Sequence, residues 1–351
     1  MSKKEEKTGK HGKHSVDFTD ERYYINRELS WLQFNARVLA EARDERNPLL
    51  EQLKFLSISA SNLDEFFMVR VGSLKDMLHA DYQGRDIAGM TVSQQLDALS
   101  VSLHRFIHEQ YRIYNNEMLP QLQKKAGLEL VTDHQSLHRK EQAYVDRYFD
   151  DFIYPVLTPM AVDSSRPFPL IRNKSLNIGA LVCRKGGEEL ELATVQVPDV
   201  IPRIVELPGD EETGEGRRRF ILLEQLIERN MSRLFLNYDI ISCCPYRVGR
   251  NADLSIDEDE AEDLLQEIER QLKKRQRGQA IRLEVEARID PRLLSRLAEE
   301  LEVEGSEIYE TNGPLDLTFL MKLYGLPGLD AYKEHGYGAP ESVPELQQDR
   351  D

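Results

Sequence analysis

The chain has 351 residues, of which 40% are hydrophobic and 31% are charged, a composition typical of a globular protein with about two domains. Its 62 acidic residues outnumber its 46 lysines and arginines, which gives a formal net charge of -16. This charge argues against a general nucleic-acid coat protein, because such proteins usually present a net basic surface to phosphates. We therefore expect no nucleic-acid partner.

Cysteine spacing and hydropathy indicate the compartment. Cys183, Cys243 and Cys244 have the spacing of neither a disulfide framework nor a zinc site, and they fit small buried residues of a reducing compartment. No apolar run approaches the roughly 20 residues of a membrane span, and the first residues lack the apolar core of a signal peptide. The sequence predicts a cytoplasmic protein without a membrane span.

The first third of the chain has helical periodicity. Residues 1–22 are polar and lysine-rich, which predicts a disordered tail. Apolar residues recur on one helical face over residues 27–44, and a second helix is predicted from Pro48 to the serines of residues 57–61. Further helices are predicted over residues 62–78 and 91–125. Residues 23–126 are therefore predicted to form an all-helical amino-terminal bundle.

After Gly127 the pattern changes to mixed helices and strands. We predict a helix over residues 136–154, another from near Asp257 and a third from Asp290. Strands are predicted over residues 176–183, 190–197, 220–223, 240–248 and 281–289. In the last of these, strict alternation of apolar and charged residues predicts one buried face and one face in water. The prediction is an α+β protein, with a mixed α/β head domain over 127–324 and a linker or tail over 325–351.

The most informative motif is residues 57–71, Ser-Ile-Ser-Ala-Ser-Asn-Leu-Asp-Glu-Phe-Phe-Met-Val-Arg-Val. Ser61 or Asn62, followed by acids at Asp64 and Glu65, is typical of a helix start in which a polar side chain caps the first N–H groups. A helix amino terminus is also a natural anion site. The pattern thus predicts a cap at Asn62 that is able to contact a phosphate-bearing ligand.

This motif, together with residues 24–35 (Tyr-Ile-Asn-Arg-Glu-Leu-Ser-Trp-Leu-Gln-Phe-Asn) and Asn-Pro-Leu-Leu at 47–50, resembles the amino terminus of the long, histidine-phosphorylating polyphosphate kinases. Blocks at 151–163, 167–169, 176–177, 247–253 and 280–285 extend the resemblance through the head domain of that family. Gly249 departs from the pattern, where a threonine is expected. The resemblance covers the amino-terminal and head domains only.

The resemblance implies residue roles that the spacing alone does not establish. In this family the asparagine of the Ser-Asn-Leu-Asp-Glu-Phe motif is assigned to ATP binding, and it falls on Asn62. Arg70, eight positions further on, is a weaker candidate for a phosphate contact, with an ion pair as the alternative reading. The family implies ATP, ADP and polyphosphate as ligands, a homodimer in the full-length form, and Mg²⁺ bound by the carboxyl-terminal half. Its catalytic histidines lie in later domains, so we predict no catalytic residue in this chain.

Two basic clusters are further candidates for polyphosphate contacts: Arg217, Arg218 and Arg219, and the Lys-Lys-Arg-Gln-Arg run at 273–277. Arginine suits phosphate because its planar donors form bidentate bonds. The second cluster follows many acids, and its other reading is a solvated helix end that complements the dipole and those acids.

Histidines could offer a metal site or a nucleophile. His104 with His108, and His134 with His138, have the i,i+4 spacing that can place two rings on one metal, but neither pair has a third ligand nearby, which favours surface histidines. The His11-Gly-Lys13 triplet is similar to a His-x-Lys signature but lies in the predicted tail. We predict no metal site.

Two functional hypotheses follow. In the first, the chain is the front half of an ATP:polyphosphate phosphotransferase. It contributes to ATP binding and dimer assembly and is inactive by itself. The alternative is a stand-alone, non-catalytic module that binds nucleotide or polyphosphate or serves in assembly.

Overall fold

The computed structural model describes residues 17–162, 168–209, 217–252 and 278–334. Several predictions fall outside these ranges: residues 1–16 of the predicted tail with the His11 triplet, the helix from near Asp257, the basic run at 273–277 and residues 335–351. Residues 17–22 of that tail are described, and a short 3₁₀ turn begins within them, at Glu21–Tyr23. The statements below concern the described residues.

Five helices form the amino-terminal part, as predicted. They are α1 Arg27–Glu41, α2 Leu49–Phe66, α3 Gly72–His79, α4 Val92–Ile113 and α5 Leu119–Ala126. The π-helical turns Phe67–Val71 and Tyr114–Met118 join α2 to α3 and α4 to α5 without a break. Asn26 caps α1 by accepting from two backbone N–H groups, which satisfies donors that the helix itself cannot. The helical region thus consists of α1 and two long continuous rods.

The prediction that a helix begins at Ser61 or Asn62 is wrong. α2 continues through the serines to Phe66, and its buried leucines before and after them keep the same side of the helix in the core. The serine hydroxyl groups are satisfied within the fold, because Ser59 Oγ donates to the Leu56 carbonyl at 2.8 Å and Ser57 Oγ donates to the Thr318 carbonyl at 3.0 Å. Asn62 therefore lies inside a helix and has no free N–H groups beside it.

The remaining described residues form two sheets with short helices around them. The helices are α6 Arg139–Tyr148, α7 Leu223–Arg229, α8 Met231–Leu234, α9 Pro291–Leu301 and α10 Leu320–Tyr324. The strands are β1 Leu128–Val131, β2 Pro159–Val162, β3 Leu176–Arg184, β4 Leu190–Gln196, β5 Ile204–Glu206, β6 Arg218–Leu222, β7 Tyr238–Arg250, β8 Ala280–Glu286 and β9 Ile308–Thr311. A three-stranded sheet has the order β1-β6-β5, and a six-stranded sheet has the order β2-β4-β3-β7-β8-β9. The predicted α+β class is confirmed.

Strand β8 corrects a second prediction. Its alternation of apolar and charged residues predicted one face in water, yet every residue from Ala280 to Val285 is buried. The charged face is covered because Arg282 and Glu284 form ion pairs with each other and with neighbours from α2 and β7. Alternation in this strand marks two buried faces, one apolar and one ionic.

One hydrophobic core joins the helices to the sheets. Leu128, Phe220, Ile281 and Tyr309 belong to the same buried cluster as the apolar faces of α1, α2 and α4. Of the predicted tail, residues 325–334 pack against the helices: Leu329 is buried, and Tyr332 Oη donates to the Lys125 carbonyl at 2.5 Å. The domain boundaries of the sequence analysis stay a prediction, because this core crosses the proposed junction. No helix in the described ranges is long and apolar enough to cross a bilayer.

Candidate functional site

The 57–71 motif presents two opposite sides. Asn62 and Asp64 are two residues apart in α2, which separates their directions by about 200° at about 100° per residue. Asp64 is buried against the head sheet, whereas Asn62 and Arg70 both contact α1. One side of the motif therefore packs against the head. The other side faces the seam between α1 and the rod that α2, the π-helical turn Phe67–Val71 and α3 form.

At one end of this seam, Asn62 belongs to a chain of side-chain hydrogen bonds. Its Nδ2 donates to Asn35 Oδ1 at 3.1 Å, and Asn35 Nδ2 donates to the Ser59 carbonyl at 3.0 Å. Gln110 Nε2, from α4, donates to Ser59 Oγ at 2.9 Å. Asn35 is completely buried, while Asn62 is partly exposed. Asn62 is thus a partly exposed amide on a buried polar support.

At the other end, Arg70 is paired with a buried carboxylate. Arg70 Nη2 lies 2.6 Å from Glu28 Oε1 and its Nε lies 3.0 Å from Glu28 Oε2, while the Arg70 side chain remains one-third exposed. Glu28 and Asn35 are seven residues apart on α1, which corresponds to about 10 Å along the helix axis. The structure therefore brings Asn62 and Arg70 to one seam, where their α1 partners are about 10 Å apart.

Trp31 lies on α1 between Glu28 and Asn35. Its ring stacks on Phe66 of α2 with centroids 4.4 Å apart and planes 11° from parallel. Aromatic stacking of this kind adds to the burial of apolar surface and holds the two helices at a fixed separation. The seam is accordingly built on a rigid contact between the two helices. We call Glu28, Trp31, Asn35, Asn62 and Arg70 the α1–α2 seam.

The three adjacent arginines of the first basic cluster do not form one cationic surface. Neighbouring side chains of a strand point to opposite faces, so Arg218 and Arg219 diverge. Arg218 pairs with Glu206 at 2.7 Å, and this hydrogen bond raises its pKa above the ordinary value. Arg219 is buried between Glu129 and Glu141, at 3.1 and 2.5 Å. Arg217 is exposed at the start of the strand.

A buried ion cluster, which the sequence analysis missed, links the motif to the head. Arg247 of β7 donates to Asp64 of α2 and lies 2.6 Å from Glu284 of β8, and Arg282 lies 3.2 Å from Asp64. Burial opposes the charge of Arg247, but the attraction of Asp64, Asp316 and Glu284 outweighs it and raises its pKa well above the ordinary value. The signal in the sequence that could have revealed this cluster is the alternation in β8, which places Arg282 and Glu284 on one face of the strand.

Of the four histidines predicted to lie at the surface, His108 is exposed, whereas His104, His134 and His138 are partly buried. His104 is partly buried and its ring stacks on Tyr309 at 4.2 Å, whereas His108, one turn later, is exposed. The described part of the chain contains no group of three or more side chains placed to hold a metal ion.

Comparison with known proteins gives two matches to domain families. Residues 24–131 match the family described as polyphosphate kinase N-terminal domain, and residues 140–323 match the polyphosphate kinase middle domain. The polyphosphate kinase of Halalkalibacterium halodurans is 48% identical over 312 residues, which are 88% of this chain and 43% of that protein. The polyphosphate kinase of Lactiplantibacillus plantarum is 46% identical over 328 residues, which are 92% of this chain and 44% of that protein.

A solved structure agrees with these matches. The crystal structure of polyphosphate kinase from Porphyromonas gingivalis superimposes with a TM-score of 0.73 at 26% identity, over 93% of this chain and 44% of that chain. The chain therefore spans less than half the length of the relatives it matches.

Proposed function

We propose, because this chain belongs to the polyphosphate kinase family, that it is the front half of an enzyme that reversibly transfers the terminal phosphate of ATP to polyphosphate. In this proposal it contributes a wall of the ATP site and a surface for dimer assembly. The observation that carries the proposal is that Asn62, the family's ATP-contact position, is a partly exposed amide on a buried support. Such a support fits a contact that must be held in one orientation.

The second member of the seam supports the same assignment. The α1 partners of Arg70 and Asn62 lie about 10 Å apart along that helix, a distance similar to that between the base and the outer phosphates of a nucleotide. Its guanidinium is held by Glu28, so a phosphate would compete with that carboxylate for the same donors. We assign Asn62 to the nucleoside side and Arg70, as the weaker candidate, to the phosphate side.

Of the first basic cluster, only Arg217 is an exposed cation without a described ion-pair partner. Arg218 and Arg219 would first have to leave Glu206 and Glu141 before they could meet polyphosphate. Their proposed role is accordingly weaker than that of Asn62.

The remaining parts of the proposal derive from the resemblance. These are the ligands ADP and polyphosphate, Mg²⁺ bound by the carboxyl-terminal half, the homodimer, and catalytic histidines in that half. The proposed cytoplasmic location rests on the cysteine usage and hydropathy of the sequence. Catalysis by the 351 residues alone is not expected in this proposal.

One observation favours the alternative, a stand-alone binding or assembly module. The helical part and the head share a core and a buried ion cluster, so the described residues form a unit that does not depend on a further domain for those contacts. Such a unit could bind nucleotide or polyphosphate without catalysis. The two hypotheses differ in whether a carboxyl-terminal half restores phosphate transfer.

The direct test is ATP binding by equilibrium dialysis with labelled ATP. The chain is mixed with the separately expressed part of the H. halodurans kinase that it does not match, and Asn62→Ala is compared with Ser61→Ala, the exposed neighbour on α2. Loss of a hydrogen bond to the ligand predicts at least about tenfold weaker binding for Asn62→Ala and less than about twofold for Ser61→Ala. Equal affinities of the two variants would contradict the role of Asn62.

A further inference from the structure

We propose that Asn35 is a positioning residue that fixes the side-chain amide of Asn62, so that the oxygen of Asn62 faces the bound nucleotide. The group that contacts the Asn62 oxygen is then a hydrogen-bond donor, which the nucleoside of ATP offers and its triphosphate does not. This inference rests on the proposed function for the nucleotide contact, whereas the orientation of Asn62 rests on the structure of the seam alone.

The orientation begins at a backbone carbonyl. The Ser59 carbonyl oxygen can only accept hydrogen bonds, so the Asn35 atom that lies 3.0 Å from it must be the NH₂ group. The two ends of an asparagine amide are otherwise hard to distinguish, and their assignment depends on such a neighbour. The Asn35 oxygen must therefore point the other way, towards Asn62.

The second amide follows from the first. Because Asn35 presents an acceptor at 3.1 Å, Asn62 must turn its NH₂ group inwards to donate to it. Reversing Asn62 would place two oxygens against each other at hydrogen-bond distance. The Asn62 oxygen, which accepts no hydrogen bond from the described residues, is therefore on the outward side of this partly exposed residue.

The support is also rigid. Gln110 Nε2 donates to Ser59 Oγ at 2.9 Å, and that hydroxyl donates to the Leu56 carbonyl at 2.8 Å. The chain of bonds thus joins α4, α2 and α1, and Asn35, Ser59 and Gln110 are all buried. Rotating the Asn35 amide would leave a buried donor and a buried acceptor unpaired, each a substantial cost.

An outward acceptor selects the chemistry of its partner. At neutral pH the oxygens of a triphosphate are acceptors, and two facing acceptors repel. The nucleoside part of ATP offers two kinds of donor: the exocyclic amine of adenine and the ribose hydroxyls. The shared chemistry is a single hydrogen bond donated by the nucleoside to Asn62 Oδ1.

The first measurement needs no nucleotide. In the ligand-free chain, the side-chain amide signals of Asn62 are compared in ¹⁵N–¹H spectra of the wild type, Asn35→Leu and Asn35→Asp. Leucine has a similar shape but no acceptor, so the Asn62 signals should move to the position of a solvent-exposed amide. A buried aspartic acid, protonated by desolvation, can donate to Ser59 and still accept from Asn62, so its spectrum should stay close to wild type. Unchanged Asn62 signals in Asn35→Leu would overturn the positioning role.

The second measurement is competition dialysis in the mixture with the carboxyl-terminal part of the H. halodurans kinase. ATP is compared with purine riboside triphosphate, which lacks the amine, and with 2′-deoxy-ATP and 3′-deoxy-ATP, which each lack one hydroxyl. The wild type should bind one of these about tenfold more weakly than ATP, and this analogue identifies the donor. In Asn35→Leu, the affinities for ATP and for this analogue should differ by less than about twofold. In Asn35→Asp, they should differ by about tenfold, as in the wild type.

Asn177→Leu is the matched control, because Asn177 is a buried asparagine whose Nδ2 donates to the Ser175 carbonyl far from the seam in sequence. This variant should be less stable than the wild type but should retain the wild-type ratio of affinities for ATP and the weaker-binding analogue. Full discrimination in Asn35→Leu, or equal loss in Asn177→Leu, would overturn the inference. A wild type that binds no ATP would contradict the proposed function and the nucleoside contact together, while the ligand-free spectra would still decide the role of Asn35.

Discussion

At the residue scale, the role of each side chain in the 57–71 motif depends on partners that are distant in sequence. Asn62 was identified from the motif, but its support comes from Asn35 and, through Ser59, from Gln110, which lie 27 residues before and 48 residues after it. A local capping pattern predicted a helix start there, and the packing of α2 prevailed over it. Sequence reasoning could name Asn62 as a candidate but could not find the long-range contacts that orient it.

Glu228 provides a prediction at this scale. Burial raises its pKa from 4.5 to about 7, although Arg288 donates two hydrogen bonds to its carboxylate at 2.8 Å. Because the folded protein holds this proton more tightly than the unfolded chain, the resulting stabilisation is full below about pH 4.5 and is lost as the pH rises to about 7. Glu286 and Glu224 face the same carboxyl and raise its pKa further.

We therefore expect Glu228→Gln to lose less stability than the wild type between pH 5 and pH 8. Between pH 5 and pH 8, the free energy of unfolding of the wild type should fall relative to that of the variant by at most about 3 kcal/mol, which is the energy equivalent of the pKa shift. Urea unfolding at several pH values measures it. Glu188→Gln, on an exposed turn, is the control and should follow the wild type. Parallel pH curves for Glu228→Gln and the wild type would refute the assignment.

At the element scale, the periodicity of the sequence predicted most helices and strands but not which faces meet. Strand β8 illustrates this, because its charged face is as regular as that of a half-exposed strand and yet is covered by α2 and β7 through Asp64 and Arg247. Whether a charge lies in water or in a buried pair depends on a partner from another element. Alternation alone does not contain that information.

Gly249 shows the same dependence. It lies opposite Arg282 in the β7–β8 pair, and a Cβ on it would come within 3.1 Å of the Arg282 Cβ. A threonine, expected there from the resemblance, would press on Arg282 and through it on the ion cluster. Glycine leaves room for the arginine at this position.

The ion cluster gives the element-scale prediction. Arg247→Met removes a buried cation and leaves Asp64 and Glu284 with Arg282 as their remaining close cation, so the free energy of unfolding should fall by about 3–5 kcal/mol. Arg292→Met is the matched control, because Arg292 is 58% exposed in its pair with Asp290, and loss of such a solvent-screened pair should change the free energy of unfolding far less than loss of Arg247.

Trp31 provides the signal for this experiment. It is the single tryptophan of the chain and stacks on Phe66, close to Asp64 in α2, so its fluorescence in urea reports on the helical part that the cluster holds to the head. Similar losses of stability for the two arginine variants would show that the cluster does not join the two parts in the way the structure indicates.

At the scale of the whole molecule, the helices and the head are one packed unit with a shared core. The family was recognisable from short motifs at the sequence level, and the domain matches and the P. gingivalis structure agree with it. The shared core was not predictable, because the apolar residues that form it come from elements that sequence patterns place in separate domains. The described helices and head therefore share one core, and the proposed nucleotide contact lies at the α1–α2 seam.

The measurement that tests the proposed role as the front half of a polyphosphate kinase most directly is phosphate transfer from labelled ATP to polyphosphate with magnesium. The 351-residue chain is assayed alone and with the separately expressed carboxyl-terminal part of the H. halodurans kinase, and that part is also assayed alone. We predict phosphate transfer only in the mixture, and we expect this activity to fall when Asn62→Ala replaces the wild-type chain. Activity of the chain alone, or of the carboxyl-terminal part alone at the level of the mixture, would contradict the proposed role.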